Sequence, residues 1–510
     1  MKKIALFLSI VVAAIACDKV EPITPPEVDF ANPDVVIPFA GCDEEAPVTI
    51  EFKANVDWTA ELIADETADG EPWISISPKS GKAGEAVINI VAAENELEST
   101  RAAQVKVTVG VSVLNFDIVQ EGIPYLTTEP ETVSLPANGG SATVKVDANV
   151  EYIVKTTPVE WLTADFNEET GEYTLTAVAN TAYASRSVTF TLSNELKGVS
   201  YSFVVTQEGK AKILWEKALA DYTEITLGNP IHLAYKDGLL ALSTGSAVHV
   251  LNSQDGSYMM PVSLPEGFVV SSLTNDDAGN VVLAGNIAAY ATGDVYAISS
   301  LETLEPVKVA TMQNDVYSYN AGNLRAGGDV TKNGVLSMFV DVSQYWIACD
   351  IVDGEAGTTQ FGAITPLEGA GTAWECANGC VTPLGSSIAD GFLATYYTSP
   401  GLVSNASGEW ALVGDAIYTG NDNNCAIAEA VYGDTHFAAV AVGSHFNYSA
   451  TGLYLYDLAN SEVVYSYRID GDLVNTAGAT ADAVLVPTDD ALLMYYADLQ
   501  KGKIVCIEIK

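Results

Sequence analysis

The stretch "FKANVDW" at 52–58 returns in part as "VDANVEY" at 146–152. Both copies read Ala-Asn-Val, then an acid, then an aromatic, which is Trp58 in the first and Tyr152 in the second. Three further correspondences follow in the same order. Trp73-Ile74 of "EPWISISPKSG" answers to Trp161-Leu162 of "VEWLTAD", Asn95 and Arg101 of "ENELESTR" to Asn180 and Arg186 of "NTAYASR", and "VQEG" at 119–122 to "TQEG" at 206–209. The offsets are 94, 88, 85 and 87 residues, the scatter expected of a duplicated module whose loops differ in length. The module covers 28–122 and again 123–209. Each copy holds about seven short strands of alternating polarity, broken by Gly, Pro, Asn and Asp, which fits an immunoglobulin-like β-sandwich. In such a sandwich, one aromatic on an alternating strand fills the core. Trp58, Tyr152, Trp73 and Trp161 are therefore expected inside.

From about 211 the texture changes. A tight turn between two apolar strands recurs in "LAYKDGLLALS", "SLTNDDAGNVVLAG", "GDVTKNGVLSMFV", "SIADGFLATYY", "AVYGDTHFAAVAV" and "VLVPTDDALLMYY". A second strand pair follows most of these, as in "LYLYDLANSEVVYSYRI". Six units of about 50 residues, each of about four strands, predict a six-bladed β-propeller over 211–510. The last unit, ending in "GKIVCIEIK", is one strand short, and "KILWEKAL" at 212–219 is the segment expected to complete it. Such a closure hides two sheet edges. The whole chain reads as all-β: two Ig-like sandwiches, then a propeller.

The N-terminus is expected to be a targeting segment. Lys2 and Lys3 precede an apolar run from Ile4 to Ile15, too short to span a bilayer. The following "AIAC" at 14–17 resembles the lipobox of bacterial lipoproteins, which implies lipidation of Cys17 and removal of what precedes it. Residues 18–27 then form a Pro-rich tether. The module motifs are similar to those of the BACON domain of exported Bacteroidetes proteins, most closely in the first copy; the second has Tyr152 for Trp58 and lacks "SPKSG" after Trp161. Anchor, tether, sandwiches and terminal domain together resemble the surface glycan-binding lipoproteins of Bacteroidetes. That resemblance implies an outer-membrane, cell-surface location, sandwiches acting as spacers, and a ligand held by the distal domain. The expected partners are a glycan, the membrane through the lipid anchor only, and a transporter or enzyme of the same uptake system.

Formal net charge is −43, so nucleic acid is excluded as a partner and a neutral glycan is favoured over a polyanion. In a propeller, the face opposite the tight turns carries the loops that enter each first strand and join each second strand to the third. The turn face itself reads as structural only. On the loop face the sequence places Tyr317, Tyr319, Tyr345, Trp346, Trp374, Tyr397, Tyr418, His445 and Tyr448, with Asn323, Arg325, Asn421 and Asp422 among them. Aromatic rings suit the C–H faces of sugars, and amide or charged groups suit the hydroxyls. These thirteen are the carbohydrate-binding candidates.

No G-x-S-x-G, H-E-x-x-H or P-loop pattern occurs, and a non-catalytic binder is expected. The alternatives are a propeller glycosidase or polysaccharide lyase, whose carboxylates carry no spacing signature, and a protein-interaction scaffold. No cofactor is expected. "TNDDAGN" at 274–280 and "GNDNN" at 420–424 offer oxygen ligands for structural calcium, but they also suit plain turns. Beyond Cys17, the cysteines at 42, 349, 376, 380, 425 and 506 lack metal-site spacing and read as buried thiols or one disulfide.

Overall fold

The computed structural model describes residues 28–30, 34–64, 72–244, 247–262, 264, 270–302, 305–315, 319–364, 379–397, 399–417, 423–444, 451–469, 474 and 480–510. Their strands form ten sheets, and the described residues contain no α-helix. The expected signal segment, Cys17 and the expected tether lie outside the described residues.

Each repeated segment forms two facing sheets, and the two copies share one design. In the first, a sheet holding Val48–Ala54 and Gly84–Ala92 faces one holding Trp58–Ala64, Arg101–Val109 and Ser112–Gln120. Alternate residues of each strand turn inward, so burial alternates along Gly84–Ala92 and along Arg101–Val109. In both copies one short strand, Asp34–Ile37 or Thr132–Leu135, runs parallel to the last long strand. Trp58 is 3% exposed and sits edge-on to Phe52 at 5.0 Å. Trp73 is also buried, while Tyr152 and Trp161 are half-buried against the second core.

The rest of the shared motif is a clasp. Arg101 Nε donates to Gln120 Oε1 at 2.8 Å, and its terminal nitrogen donates to the carbonyls of Ala93 and Glu94. Arg186 does the same with Gln207 at 2.9 Å and with Val178 and Ala179. Each guanidinium lies over the motif tryptophan, Trp73 at 4.3 Å and Trp161 at 4.8 Å. Asn95 and Asn180 are buried and tie their own loop to the Gln-Glu-Gly turn. The echo in the sequence thus marks a buried polar lock, whose members leave few groups unsatisfied. Asn149 of the repeated tripeptide adds a junction, donating to the carbonyls of Glu98 and Ile123 at 2.9 Å each.

Beyond Lys210 come six antiparallel sheets in chain order. Their first strands are Ile231–Lys236, Ser272–Asn275, Ala321–Asp329, Cys380–Pro383, Asn423–Tyr432 and Ala481–Pro487. Each first strand neighbours the next, and the sixth neighbours the first, so the six make a closed cycle. The sixth sheet is completed by Ala211–Ala218, which pairs with Lys503–Ile509. Chain beginning and chain end of this region therefore share one sheet, as the missing strand of the last unit predicts.

Burial falls from the middle of the ring outward. Asn333–Val340 and Gly452–Asp457 are buried along almost their whole length, because each sheet is covered on both faces by its neighbours. The outermost strands Ala211–Ala218 and Pro306–Asn314 alternate or face solvent. The fourth sheet has two-residue outer strands, Val403–Ser404 and Ala411–Leu412, which is why its sequence unit is the hardest to read.

Candidate functional site

The inner walls of the cycle enclose two cavities, separated by a buried charged partition. Arg325 on the third sheet is 3% exposed and reaches Asp482 on the sixth at 2.9 Å. Asp482, 1% exposed, also accepts the Leu233 amide at 2.9 Å and lies 3.5 Å from His232 Nδ1 on the first sheet. Burial opposes the charge on Arg325, but Asp482 and the Cys380 sulfur hold its pKa above the ordinary value. This bridge ties three sheets together across the ring interior.

On the loop face, a cavity of about 200 Å³ is lined by groups from all six sheets, among them His232, Asn286, Asn320, Asn323, Asp341 and Thr480. The backbone around it is strained: Tyr290, Asn323 and Val342 all have φ between 52° and 57°. That region is costly for a β-branched residue, and such strain gathers where side chains are held for a purpose. Asn323 donates to the Gly379 carbonyl at 2.9 Å, so its amide is fixed in the mouth. Tyr290, 64% exposed on the same loop face, is absent from the sequence candidates.

On the turn face, a cavity of about 580 Å³ opens among all six first strands, with Arg325 in its lining. Its mouth carries Asp277, Glu429 and His436. Glu429 is bonded to His436 through its Oε2, and the Asp277 carboxyl hydrogen-bonds Glu429. Enclosure in the mouth, aided by the Glu429 charge, pushes Asp277 up to about 6, while Glu429 raises His436. The turn face, expected to be structural only, thus also borders a cavity. The turns do lace adjacent sheets, as when Asp277 Oδ2 accepts Gly328 N at 2.5 Å, but they also frame the larger cavity.

The described sequence candidates divide. Asn323 lines the loop-face cavity. Tyr319 and Tyr345 are half-buried against the core between the second and third sheets, and Tyr397 is half-buried on the fourth. Two placements are corrections. Trp346 is 8% exposed and packs on Phe392 at 4.6 Å between the third and fourth sheets, so it is core and not rim. Arg325 belongs to the internal partition. Tyr317, Trp374, Tyr418, Asn421, Asp422, His445 and Tyr448 lie outside the described residues.

In "TNDDAGN", the Asp276 carboxylate accepts Asn280 N at 2.7 Å, Asn280 Nδ2 at 2.8 Å and Val330 N at 3.0 Å, which is turn chemistry. No group of three His, Cys, Asp or Glu among the described residues is placed to hold a metal ion. Cys42, Cys349, Cys380 and Cys506 are free thiols.

Residues 63–121 and 151–208 each match the family described as "BACON: Putative binding domain, N-terminal". The chain therefore carries two copies of that domain. No curated protein matches the chain. Among solved structures, it is similar to a Bacteroides ovatus GH5 xyloglucanase in complex with a XXXG heptasaccharide, at 19% identity over 22% of each chain and a TM-score of 0.16. This chain thus spans under a quarter of that enzyme's length. It is similar to an endo-fucoidan hydrolase of glycoside hydrolase family 107 at 13% identity, over 36% of this chain and 34% of that one, with a TM-score of 0.21. A three-Ig structure of titin domains I67–I69 is 9% identical over 67% of this chain and 99% of that one, with a TM-score of 0.26.

Proposed function

We propose that this chain is an exported lipoprotein, anchored through Cys17 at the outer-membrane surface, whose six sheets form a β-propeller that binds a neutral glycan without catalysis. The binding surface is the loop-face mouth, and the paired sandwiches space it from the membrane. The observation that carries this reading is the lining of that mouth. Three side-chain amides, Asn286, Asn320 and Asn323, converge there with Asp341 and Thr480. Amides both donate and accept, so they suit hydroxyls, and they do not demand a charged ligand. Tyr290 on the same face supplies an exposed ring.

One further feature supports it. A net charge of −43 disfavours polyanionic ligands and nucleic acid. The Bacteroidetes origin and the partnership with a transporter or enzyme belong to the same reading. Affinity gels cast with a series of neutral and acidic polysaccharides test it. Retardation by at least one neutral glycan, with no new reducing ends or unsaturated products on incubation, is expected. A folded protein that no glycan retards would overturn the proposal.

A further inference from the structure

The two cavities of the ring share no lining residue. On the first sheet His232 lines the loop-face cavity and Leu233 the other, and the same single step separates Ala426 from Ile427 on the fifth. On the sixth, Ala481 and Ala483 line opposite cavities, with Asp482 of the partition between them. The loop-face mouth is therefore a blind pit, walled by the sheets and closed beneath by the Arg325–Asp482–His232 partition, and not one end of a through channel. Burial rises down this pit. Asn286, Asn320 and Asp341 at the rim are exposed, whereas His232, Phe339, Ala426 and Ala481 at the bottom are buried. The floor is thus apolar apart from one imidazole, which is 5% exposed. His232 turns its Nδ1 to Asp482 at 3.5 Å, and its Nε2, across the ring, has no hydrogen-bond partner among the described residues.

The pit measures about 200 Å³, less than the roughly 300–1,000 Å³ of sites that enclose drug-sized molecules. A run of linked sugars needs a groove open at both ends, whereas a pit closed beneath admits a single ring from above. Given that the loop-face mouth binds a glycan, we propose that it takes a chain end or branch tip, one terminal sugar ring entering the pit. The ring's outermost carbons rest on Phe339, Ala426 and Ala481, and a hydroxyl beside them bonds His232 Nε2. A hydroxyl both donates and accepts, so it pairs with Nε2 whichever imidazole nitrogen carries the proton. Asn286 and Asn320, whose side-chain amides have no partner among the described residues, meet the hydroxyls left at the rim. His232, absent from the sequence candidates, is then the residue that selects the terminal sugar, because a ring without a hydroxyl at that depth would leave both groups unpaired on an apolar floor.

Affinity gels of the full chain, cast with neutral polysaccharides that include dextran, galactomannan, xyloglucan and arabinoxylan, test this when run with and without free methyl glycosides of glucose, galactose, mannose, xylose, arabinose and fucose. For a glycan that retards the wild type, the methyl glycoside of its terminal sugar, at about 50 mM, where a millimolar binder is saturated, is expected to restore mobility, while those of the other sugars are not. His232→Phe keeps a ring of similar size and deletes both nitrogens. It should weaken retardation about tenfold with the ring's melting transition retained. Retardation that every methyl glycoside leaves intact would overturn the chain-end proposal and leave the glycan reading standing, as would unchanged retardation of folded His232→Phe. The displacement arm uses the wild type alone, so it decides the matter even where the variant does not fold. A wild type that no glycan retards would overturn both.

Discussion

Replacing Asp482 with Ala removes the centre of the partition and leaves its partners stranded. Arg325, 3% exposed, loses the carboxylate 2.9 Å away, and Leu233 N loses its acceptor at 2.9 Å. Breaking a buried pair by deleting one partner costs about 3–5 kcal/mol, because the remaining charge is uncompensated. The orphaned amide adds about 1 kcal/mol. The two share a site and are not strictly additive, so a total of about 4–6 kcal/mol is expected. At about 2 °C per kcal/mol for a unit of this size, the ring's transition should fall by roughly 10 °C. Scanning calorimetry on the full chain is the suitable assay, since the sandwiches should melt in a separate, unshifted transition. The double variant Asp482→Leu with Arg325→Met removes both charges and should recover at least about 2 kcal/mol of the loss. A single variant melting within about 2 °C of wild type, or a double variant melting below the single, would refute the idea that the bridge holds the ring interior together.

Gln120→Ala should lower the sandwich transition by about 2–4 kcal/mol without moving the ring, because Gln120 is fully buried and serves Arg101 and the Pro38, Phe39 and Ala93 carbonyls; calorimetry separates the two. Trp58→Ala should cost about 3–5 kcal/mol in the same transition and leave glycan retardation unchanged in gels run where the protein is folded. Gly322→Ala should weaken glycan retardation with little loss of stability, because the new Cβ would stand 2.6 Å from Asn286 Oδ1 in the loop-face mouth. Asp277, faced by Glu429, Asp276, His436 and the Gly328 amide, sits at about 6 in the folded protein against an ordinary 3.8. An acid raised on folding stabilises the fold below its unfolded pKa, and that contribution is lost as pH rises through the folded value. Melting curves should therefore show Asp277→Asn gaining on wild type above pH 6, with the gain gone near pH 4.

What could be read from the sequence followed the range of the interactions involved. Alternation along "AQVKVTV" and the spacing from Asn95 to Arg101 are local, so the module and its duplication were legible. The missing strand of "GKIVCIEIK" made the pairing with Ala211–Ala218 legible too, since an unpaired edge demands a partner. Arg325 was misplaced on the rim because its partner, Asp482, lies 157 residues away and only the closed cycle brings them together. Trp346 was misplaced although "YWIAC" is a continuous apolar run, the mark of a strand covered on both faces. The turn-face mouth was partly legible. Glu429 and His436 flank the Gly433-Asp434 turn of one hairpin, whereas Asp277 reaches them from the turn of the second sheet. Polar turns look alike whether they merely reverse the chain or also frame a cavity, and the difference is set by what faces them across the ring.

The claim that a glycan is held at the loop-face mouth is tested most directly by calorimetric titration of wild type and Asn286→Ala with a neutral glycan that retards the wild type. Asn286 lines that mouth and no part of the turn-face cavity. The account predicts a loss of affinity of about tenfold for the variant, as expected when a site built to hydrogen-bond hydroxyls loses an amide that both donates and accepts. Unchanged affinity in a variant that melts with the wild type would contradict it.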